Sequence, residues 1–259
     1  MGFLHEGHLS LCRAARRAIG DDGLLVLSLY VNPTQFSPTE DLSRYPRNLA
    51  RDKALCRSSG VNVLFLPSNA TLYPQMDRGG YSTFVQENQL SARMEGISRP
   101  THFRGVTTVV AKLFNLVLPE IAVFGAKDYQ QAAVIQRMTS NLNLPVKVKV
   151  APTVREADGL ALSSRNAFLT PPQRLQAVCL YQAIQAARRL ARQSGPRLSV
   201  KALADQLKAT IEKNPEAKVD YLAFFDPSTL QPAAQLKPGV HFALAVRVGT
   251  TRLIDNSRL

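Results

Sequence analysis

The sequence predicts an α/β protein, with a doubly wound, mostly parallel sheet first and a smaller α/β unit after it. Three observations carry this prediction. Over residues 1–150, apolar runs rich in β-branched residues alternate with stretches of helical periodicity. The apolar runs close in turn-forming or glycine-containing loops, as strands buried in a parallel sheet do. After Thr153 the order changes to a Gly- and Ser-rich loop, two amphipathic helices and two strands.

Taken in order, a first helix is expected over 8–19, directly behind the opening "MGFLHEGH". The run "LLVLSLYV" (24–31) reads as a strand closed by Asn-Pro, and "VNVLFL" (61–66) as one closed by Pro-Ser. A helix over 47–59 joins them. The pattern then predicts a helix at 105–118, a strand at 121–124 ("IAVF"), a helix at 128–142 and a strand at 146–150 ("VKVKV"). The boundary falls near residue 151, giving domains of 1–151 and 152–259. In the second, helices are expected over 171–191 and 199–212 and strands near 218–225 and 241–248.

Composition bounds the function. A chain of 259 residues that is 45% hydrophobic can bury a sizeable core. No apolar run approaches the ~18–20 residues of a membrane span, and the order of a secretory signal is missing, so a cytoplasmic protein without a membrane partner is expected. Cys12, Cys56 and Cys179 are too far apart for a C-x-x-C pair and read as small buried hydrophobes. The excess of 32 Lys and Arg over 19 Asp and Glu invites a nucleic-acid reading. Against it, the basic residues are scattered and no aromatic motif for stacking bases occurs. The densest cluster, "RRLARQSGPR" (188–197), ends a helix, where cations are favoured anyway. Small anionic substrates fit better than nucleic acid.

Ligands of open α/β sheets bind beyond the carboxyl ends of the strands, which directs attention to four polar loops. In "MGFLHEGH", His5 and His8 are three apart, which puts both imidazoles on one face of a first helical turn. Gly7 leaves room between them, and a helix start attracts anions. A metal site is the weaker reading, since no third ligand is near. "NPTQF" (32–36) delivers Gln35 to the sheet's rim, unless Gln35 only caps a turn. "GAKDYQQ" (125–131) sets Lys127 and Asp128 at a helix start, as a phosphate contact or as an ordinary terminal charge pair. "ADGLALSSRN" (157–166) offers Ser163, Ser164 and Arg165, where the serines could instead cap the next element.

With "DLSRYPRNLARD", "MEGISRPTHFRGVTTVVAKLFNLVLPEIAVFGAKDYQQ" and the terminal "RLIDN" added, the chain resembles the pantothenate synthetases (pantoate–β-alanine ligases) of the H-x-G-H nucleotidyltransferase-like class. The resemblance runs through six motifs in the family's order and covers essentially the whole chain. It implies a Rossmann-like parallel sheet of 3-2-1-4-5 order, and a lid domain carrying "LSSR". It also implies a two-step reaction. ATP and (R)-pantoate give an enzyme-bound pantoyl adenylate and pyrophosphate, and the amine of β-alanine then displaces AMP to give pantothenate. No Ser or Cys nucleophile is needed.

Carried over residue by residue, the resemblance makes Met1, Gly2, Phe3, Leu4, His5, Glu6, Gly7 and His8 the ATP-binding loop. His5 and His8 would stabilise the phosphate charge, His8 standing at the family's proton-donor position. Gly125, Ala126, Lys127 and Asp128 correspond to the segment around ribose and phosphates, with Lys127 the phosphate cation, and Val154 to an adenine contact. Leu162, Ser163, Ser164 and Arg165 correspond to the loop on the β- and γ-phosphates, where a guanidinium fork suits phosphate. Gln35 and Gln131 would hold pantoate, Arg99 and His102 stand beside it, and Val109 and Val110 wall the pocket. Mg2+ is expected with ATP, with Asp52 as a carboxylate near it. A homodimer is also implied.

One departure concerns the start. The family reads Pro-Thr before Met-Gly, at the end of the first, central strand of the sheet, and this chain has neither. Met1 is therefore expected to be a misassigned start or a truncation, and a chain beginning there to fold poorly or to show little activity. Its lone strand neighbours would stand unpaired. Two other readings stay open. Another H-x-G-H nucleotidyltransferase, such as a phosphopantetheine or nicotinate-mononucleotide adenylyltransferase, would share the first motif but leave "NPTQF" and "FGAKDYQQ" unexplained. A basic, non-catalytic nucleotide- or RNA-binding module would bind RNA in a strongly salt-dependent way.

Overall fold

The structure is a computed structural model that describes residues 2–37, 40, 42–194 and 199–259. Two compact units are present, Met1–Ala126 with Gln130–Pro152, and Lys127–Tyr129 with Thr153–Leu259. Among the described residues no helix is long and apolar enough to cross a membrane.

The first unit alternates as the periodicity requires. It runs through α1 (Glu6–Ile19), β1 (Val26–Ser28), α2 (Leu49–Ser58), β2 (Val63–Phe65), the one-turn helices α3 (Asn69–Leu72) and α4 (Glu95–Ser98), α5 (His102–Val117), β3 (Ile121–Gly125), α6 (Tyr129–Asn141) and β4 (Lys147–Ala151). Its buried apolar residues include Phe103, Val106 and Phe114 of α5 and Val134, Ile135 and Met138 of α6. This is the stripe that 3.6-residue periodicity places on one side of a helix.

Its strands form two separate parallel pairs. β1 pairs with β2 in the register Leu27 to Leu64, and β3 with β4 in the register Val123 to Lys149. The single 3-2-1-4-5 ladder implied by the resemblance is thus not continuous among the described residues. β1 and β2 are also shorter than their apolar runs. Leu24 is exposed, and Asn62 and Val63 both donate backbone N–H bonds to the Leu25 carbonyl, so regular pairing starts only at Val26. Helix α1 packs against β3 and β4, with Leu11 reaching to within contact of Gly125.

The second unit holds α7 (Pro171–Ala177), α8 (Cys179–Ser194) and α9 (Val200–Ile211), then β5 (Ala217–Phe225), β6 (His241–Val248) and β7 (Thr251–Arg258). The helix expected over 171–191 is divided at Val178, whose φ of −60° and ψ of −20° stay helical. Its first residues are set by Thr170 and Gln173, which form a reciprocal capping box around Pro171. The strands form an antiparallel sheet of order β5-β6-β7, with β6 buried on both faces. Leu180, Ile184, Leu203, Leu207 and Ile211 of the helices cluster with Phe242, Leu244, Val246 and Val248 of β6. Strand β7 is not announced by the sequence pattern, because its polar "RLIDNSR" interrupts the apolar signal. The three cysteines are free and buried, as expected.

Candidate functional site

The opening loop is shaped by α2. Asp52, almost wholly inaccessible, accepts the N–H of Phe3 at 2.9 Å on one carboxylate oxygen and that of Leu4 at 2.7 Å on the other. Arg51 donates to the Leu4 carbonyl at 2.7 Å and stacks its guanidinium over the Phe3 ring. These bonds hold Phe3 at a φ of +55°, a left-handed conformation that a non-glycine residue adopts only when its surroundings impose it. Gly2 lies against Val31, Leu29 and Asp52. The carboxylate expected beside magnesium is therefore engaged with both oxygens in fixing this loop. Among the described residues no group of three His, Cys, Asp or Glu side chains could hold a metal. Met1 lies outside the described residues.

The chain then enters α1. His5 is the N-cap, with an extended φ of −141°, and His8 is the third helical residue, so the imidazoles share one face with ring centroids 4.0 Å apart. The His5 N–H donates to His8 Nδ1 at 3.3 Å. A backbone N–H can only donate, so a neutral His8 carries its proton on Nε2. Glu6 is exposed and Gly7 half-buried, in the first turn, where a helix leaves N–H groups unmatched by its own carbonyls.

The second loop is a 3-10 turn at Pro33–Gln35, capped by Asn32. The Asn32 side-chain amide donates to Gln35 Oε1 at 3.0 Å and to the Gly105 carbonyl at 3.2 Å. Gly105 is required here, since a Cβ would stand 2.4 Å from the Thr34 carbonyl oxygen. The Gln35 carbonyl accepts from Arg99 at 3.1 Å and from His102 Nδ1 at 2.9 Å. Arg99 NH1 lies 3.2 Å from His102 Nε2, and the same guanidinium pairs with Glu40 at 2.6 Å. A carbonyl only accepts and a guanidinium only donates, which fixes His102 as the neutral Nδ1–H tautomer. Burial first, and the Arg99 charge second, push His102 down to about 4. Burial opposes ionisation of Glu40, but the hydrogen bond and charge of Arg99 outweigh it and hold its carboxyl below the usual range.

Val109 and Val110 lie on the buried face of α5. Gln131 is half-buried on the first turn of α6, while its neighbour Gln130 is buried and braces the 90–95 strap through bonds to the Leu90 and Arg93 carbonyls and the Glu95 N–H. Gly125 ends β3, and Ala126–Asp128 form a 3-10 turn.

In the second unit, Lys127 Nζ lies 3.5 Å from Asp128. The Lys127 carbonyl accepts from Asn256 at 2.8 Å, and Tyr129 stacks on His241 with centroids 3.9 Å apart. Burial lowers the pKa of His241. The Val154 carbonyl accepts the N–H of Leu162 at 3.0 Å, which brings these two expected residues together. Between them runs a hairpin anchored by Arg155, bidentate on Asp255 at 2.6 and 2.9 Å. Gly159 keeps the hairpin clear of Tyr181, whose ring a Cβ would meet at 1.9 Å. Ser163 caps a 3-10 turn over Ser164–Phe168 by accepting the Arg165 N–H at 3.2 Å, so the capping role is real for this serine. Ser164 is buried and Arg165 half-buried. Reading the sequence missed Asn32, Arg155, Asp255 and Asn256, although the last two stand in the quoted "RLIDN".

The chain has counterparts among known proteins. The family profile described as Pantoate-beta-alanine ligase matches residues 1–258. A pantothenate synthetase of Moorella thermoacetica is 50% identical over 99% of this chain and 87% of its own length. One from Syntrophotalea carbinolica is 51% identical over 99% and 88%. The crystal structure of the Thermus thermophilus pantothenate synthetase superposes with a TM-score of 0.92 at 47% identity, covering all of this chain and 90% of that one. A Francisella tularensis pantoate-beta-alanine ligase, complexed with beta-gamma ATP and beta-alanine, gives 0.78 at 32% identity, covering 100% and 87%. Matches of this extent, in sequence and in three dimensions, place the chain in the pantoate-beta-alanine ligase family.

Proposed function

We propose that this chain joins (R)-pantoate to β-alanine at the expense of ATP, through an enzyme-bound pantoyl adenylate, releasing pyrophosphate and AMP. Family membership over the whole chain supports the overall reaction. The observation that carries the site is the His5–His8 pair, two imidazoles set 4.0 Å apart at the start of α1 behind a loop fixed by Asp52.

A carboxylate is a poor electrophile. Adenylation converts it to a mixed anhydride whose leaving group, AMP, departs when the amine attacks. In the first step a pantoate oxygen displaces pyrophosphate from the α-phosphorus, and negative charge grows on the phosphate oxygens. His8 Nε2–H and His5 are assigned to stabilise that charge, assisted by the helix start. Lys127 and Arg165 are assigned to phosphate oxygens, with Ser163 and Ser164 beside them. Gly2 to Gly7 and Gly125 to Asp128 line the nucleotide, and Val154 and Leu162 flank its base.

Gln35 and Gln131 are assigned to pantoate. Gln35 Oε1 is occupied by Asn32, so its amide nitrogen is the end that donates to a carboxylate or hydroxyl. Arg99 and His102 hold the Gln35 backbone rather than the substrate, and Val109 and Val110 belong to the wall behind it.

Magnesium would accompany ATP as a counter-ion that neutralises phosphate charge, and phosphate oxygens and water would supply most of its ligands. The described residues offer no all-protein cage, and Asp52 is assigned to the loop. A homodimer in the cytoplasm completes the reading.

The test is pantothenate formation from ATP, pantoate and β-alanine. Pyrophosphate release should require pantoate, and AMP release should become fast only when β-alanine is added. Rapid pyrophosphate release with a pantetheine phosphate or a mononucleotide in place of pantoate would assign another nucleotidyltransferase instead.

A further inference from the structure

Asn256 of β7 reaches out of its own sheet. Its Nδ2 donates to the Lys127 carbonyl at 2.8 Å, and its Oδ1 lies 2.9 Å from His241 Nε2. The carbonyl can only accept, which fixes the amide orientation and makes His241 Nε2–H the donor to Oδ1. Asn256 and His241 are both buried, at 8% and 7% exposure, and the bond between them is made away from competing water. His241 in turn stacks on Tyr129, whose hydroxyl donates to the Pro227 carbonyl at 3.0 Å. Residues 127 to 129 are thus gripped at both ends by the C-terminal sheet, and they group with it although they follow β3 in sequence.

The neighbouring position supports the same reading. Asp255 holds Arg155, which directly follows Val154, by two short hydrogen bonds, and the Asn256 N–H closes onto Asp255 at 2.8 Å. Two consecutive residues of β7 therefore fix two separate segments that were assigned to the nucleotide.

We infer that Asn256 is a positioning residue for Lys127, setting the backbone from which the lysine ammonium reaches the phosphates of ATP. This rests on the proposed assignment of Lys127 to those phosphates. Only a side chain that donates at one end and accepts at the other satisfies both neighbours. An aspartate would keep the bond from His241 but set a carboxylate against the Lys127 carbonyl. The consequence should fall mainly on the phosphates, because the Lys127 ammonium is the positive charge assigned to them.

Calorimetric titration of the full chain with ATP and with AMP tests this in three proteins: native, Lys127→Ala and Asn256→Asp. The quantity read is the ratio of ATP to AMP affinity. Lys127→Ala should lower it, and Asn256→Asp should lower it by about fivefold or more, the loss expected of one hydrogen bond and a misplaced cation. A purely structural role for Asn256 would weaken both nucleotides alike or neither, and either result overturns the inference. If Lys127→Ala leaves the ratio unchanged, the assignment of Lys127 fails first and the role of Asn256 falls with it. A thermal melt run beside the titrations identifies a variant that has unfolded. Asn256→Ser, which removes the amide without adding charge, then carries the comparison.

Discussion

His102 joins two facts that meet only in three dimensions: its Nδ1–H donates to the Gln35 carbonyl, and its Nε2 accepts from Arg99. Protonation would leave two donors facing each other. The neutral form is therefore the one that folds, and its pKa is down at about 4. Below the ordinary histidine value near 6.5 the unfolded chain binds a proton that the folded chain refuses, so stability falls as pH drops from about 6.5 towards about 4. The melting temperature should decline across that window, and His102→Asn, which can still donate to the carbonyl, should flatten the decline. A melt series showing the same decline in both proteins would count against this account. Glu40 and Glu95 approach the same Arg99 guanidinium, and Glu40 contributes its own loss at lower pH, where its depressed carboxyl protonates.

At the level of elements, the loop before α1 and the turn after β1 are both shaped by residues distant in sequence. Asp52→Asn replaces one acceptor with a donor facing a backbone N–H, leaving a buried group unmatched at a cost of about 1–3 kcal/mol. We expect a lower melting temperature and a raised KM for ATP. Raising the magnesium concentration should not restore that KM; recovery would make Asp52 a metal ligand after all. Gly105→Ala forces a methyl group to within 2.4 Å of the Thr34 carbonyl, where backbone rather than a flexible side chain must yield. Overpacking of this kind costs about 1–3 kcal/mol, and because Gln35 sits on the displaced turn, KM for pantoate should rise more than KM for ATP. An alanine variant with native stability and native pantoate KM would contradict the packing.

For the molecule as a whole, the net charge of +13 is the feature least tied to any one loop. The basic residues are spread along the chain, so their effect on an anionic substrate is long-ranged and screened by salt. Raising ionic strength should increase KM for ATP by a modest factor while kcat changes little. A large loss of kcat would instead mean that salt disturbs the fold or the assembly. Sedimentation over a range of concentrations tests the proposed homodimer, which predicts a single species near twice the chain mass of 28.5 kDa.

The sequence by itself determined the α/β fold class and the alternation of elements, because both are encoded in local periodicity. The i, i+3 spacing alone sets His5 and His8 on one helical face, since a helix turns every 3.6 residues. Tertiary structure decided the partners. Asp52 points to the loop at Phe3 and Leu4, a separation of 49 and 48 residues, and Asn256 to Lys127 across 129. Strand β7 became visible only when paired with β6, since its buried Asp255 and Asn256 break the apolar pattern and are satisfied by distant groups. A hydrogen bond between remote residues leaves no periodic trace along the chain, so burial and geometry alone reveal which polar side chains hold the site in place.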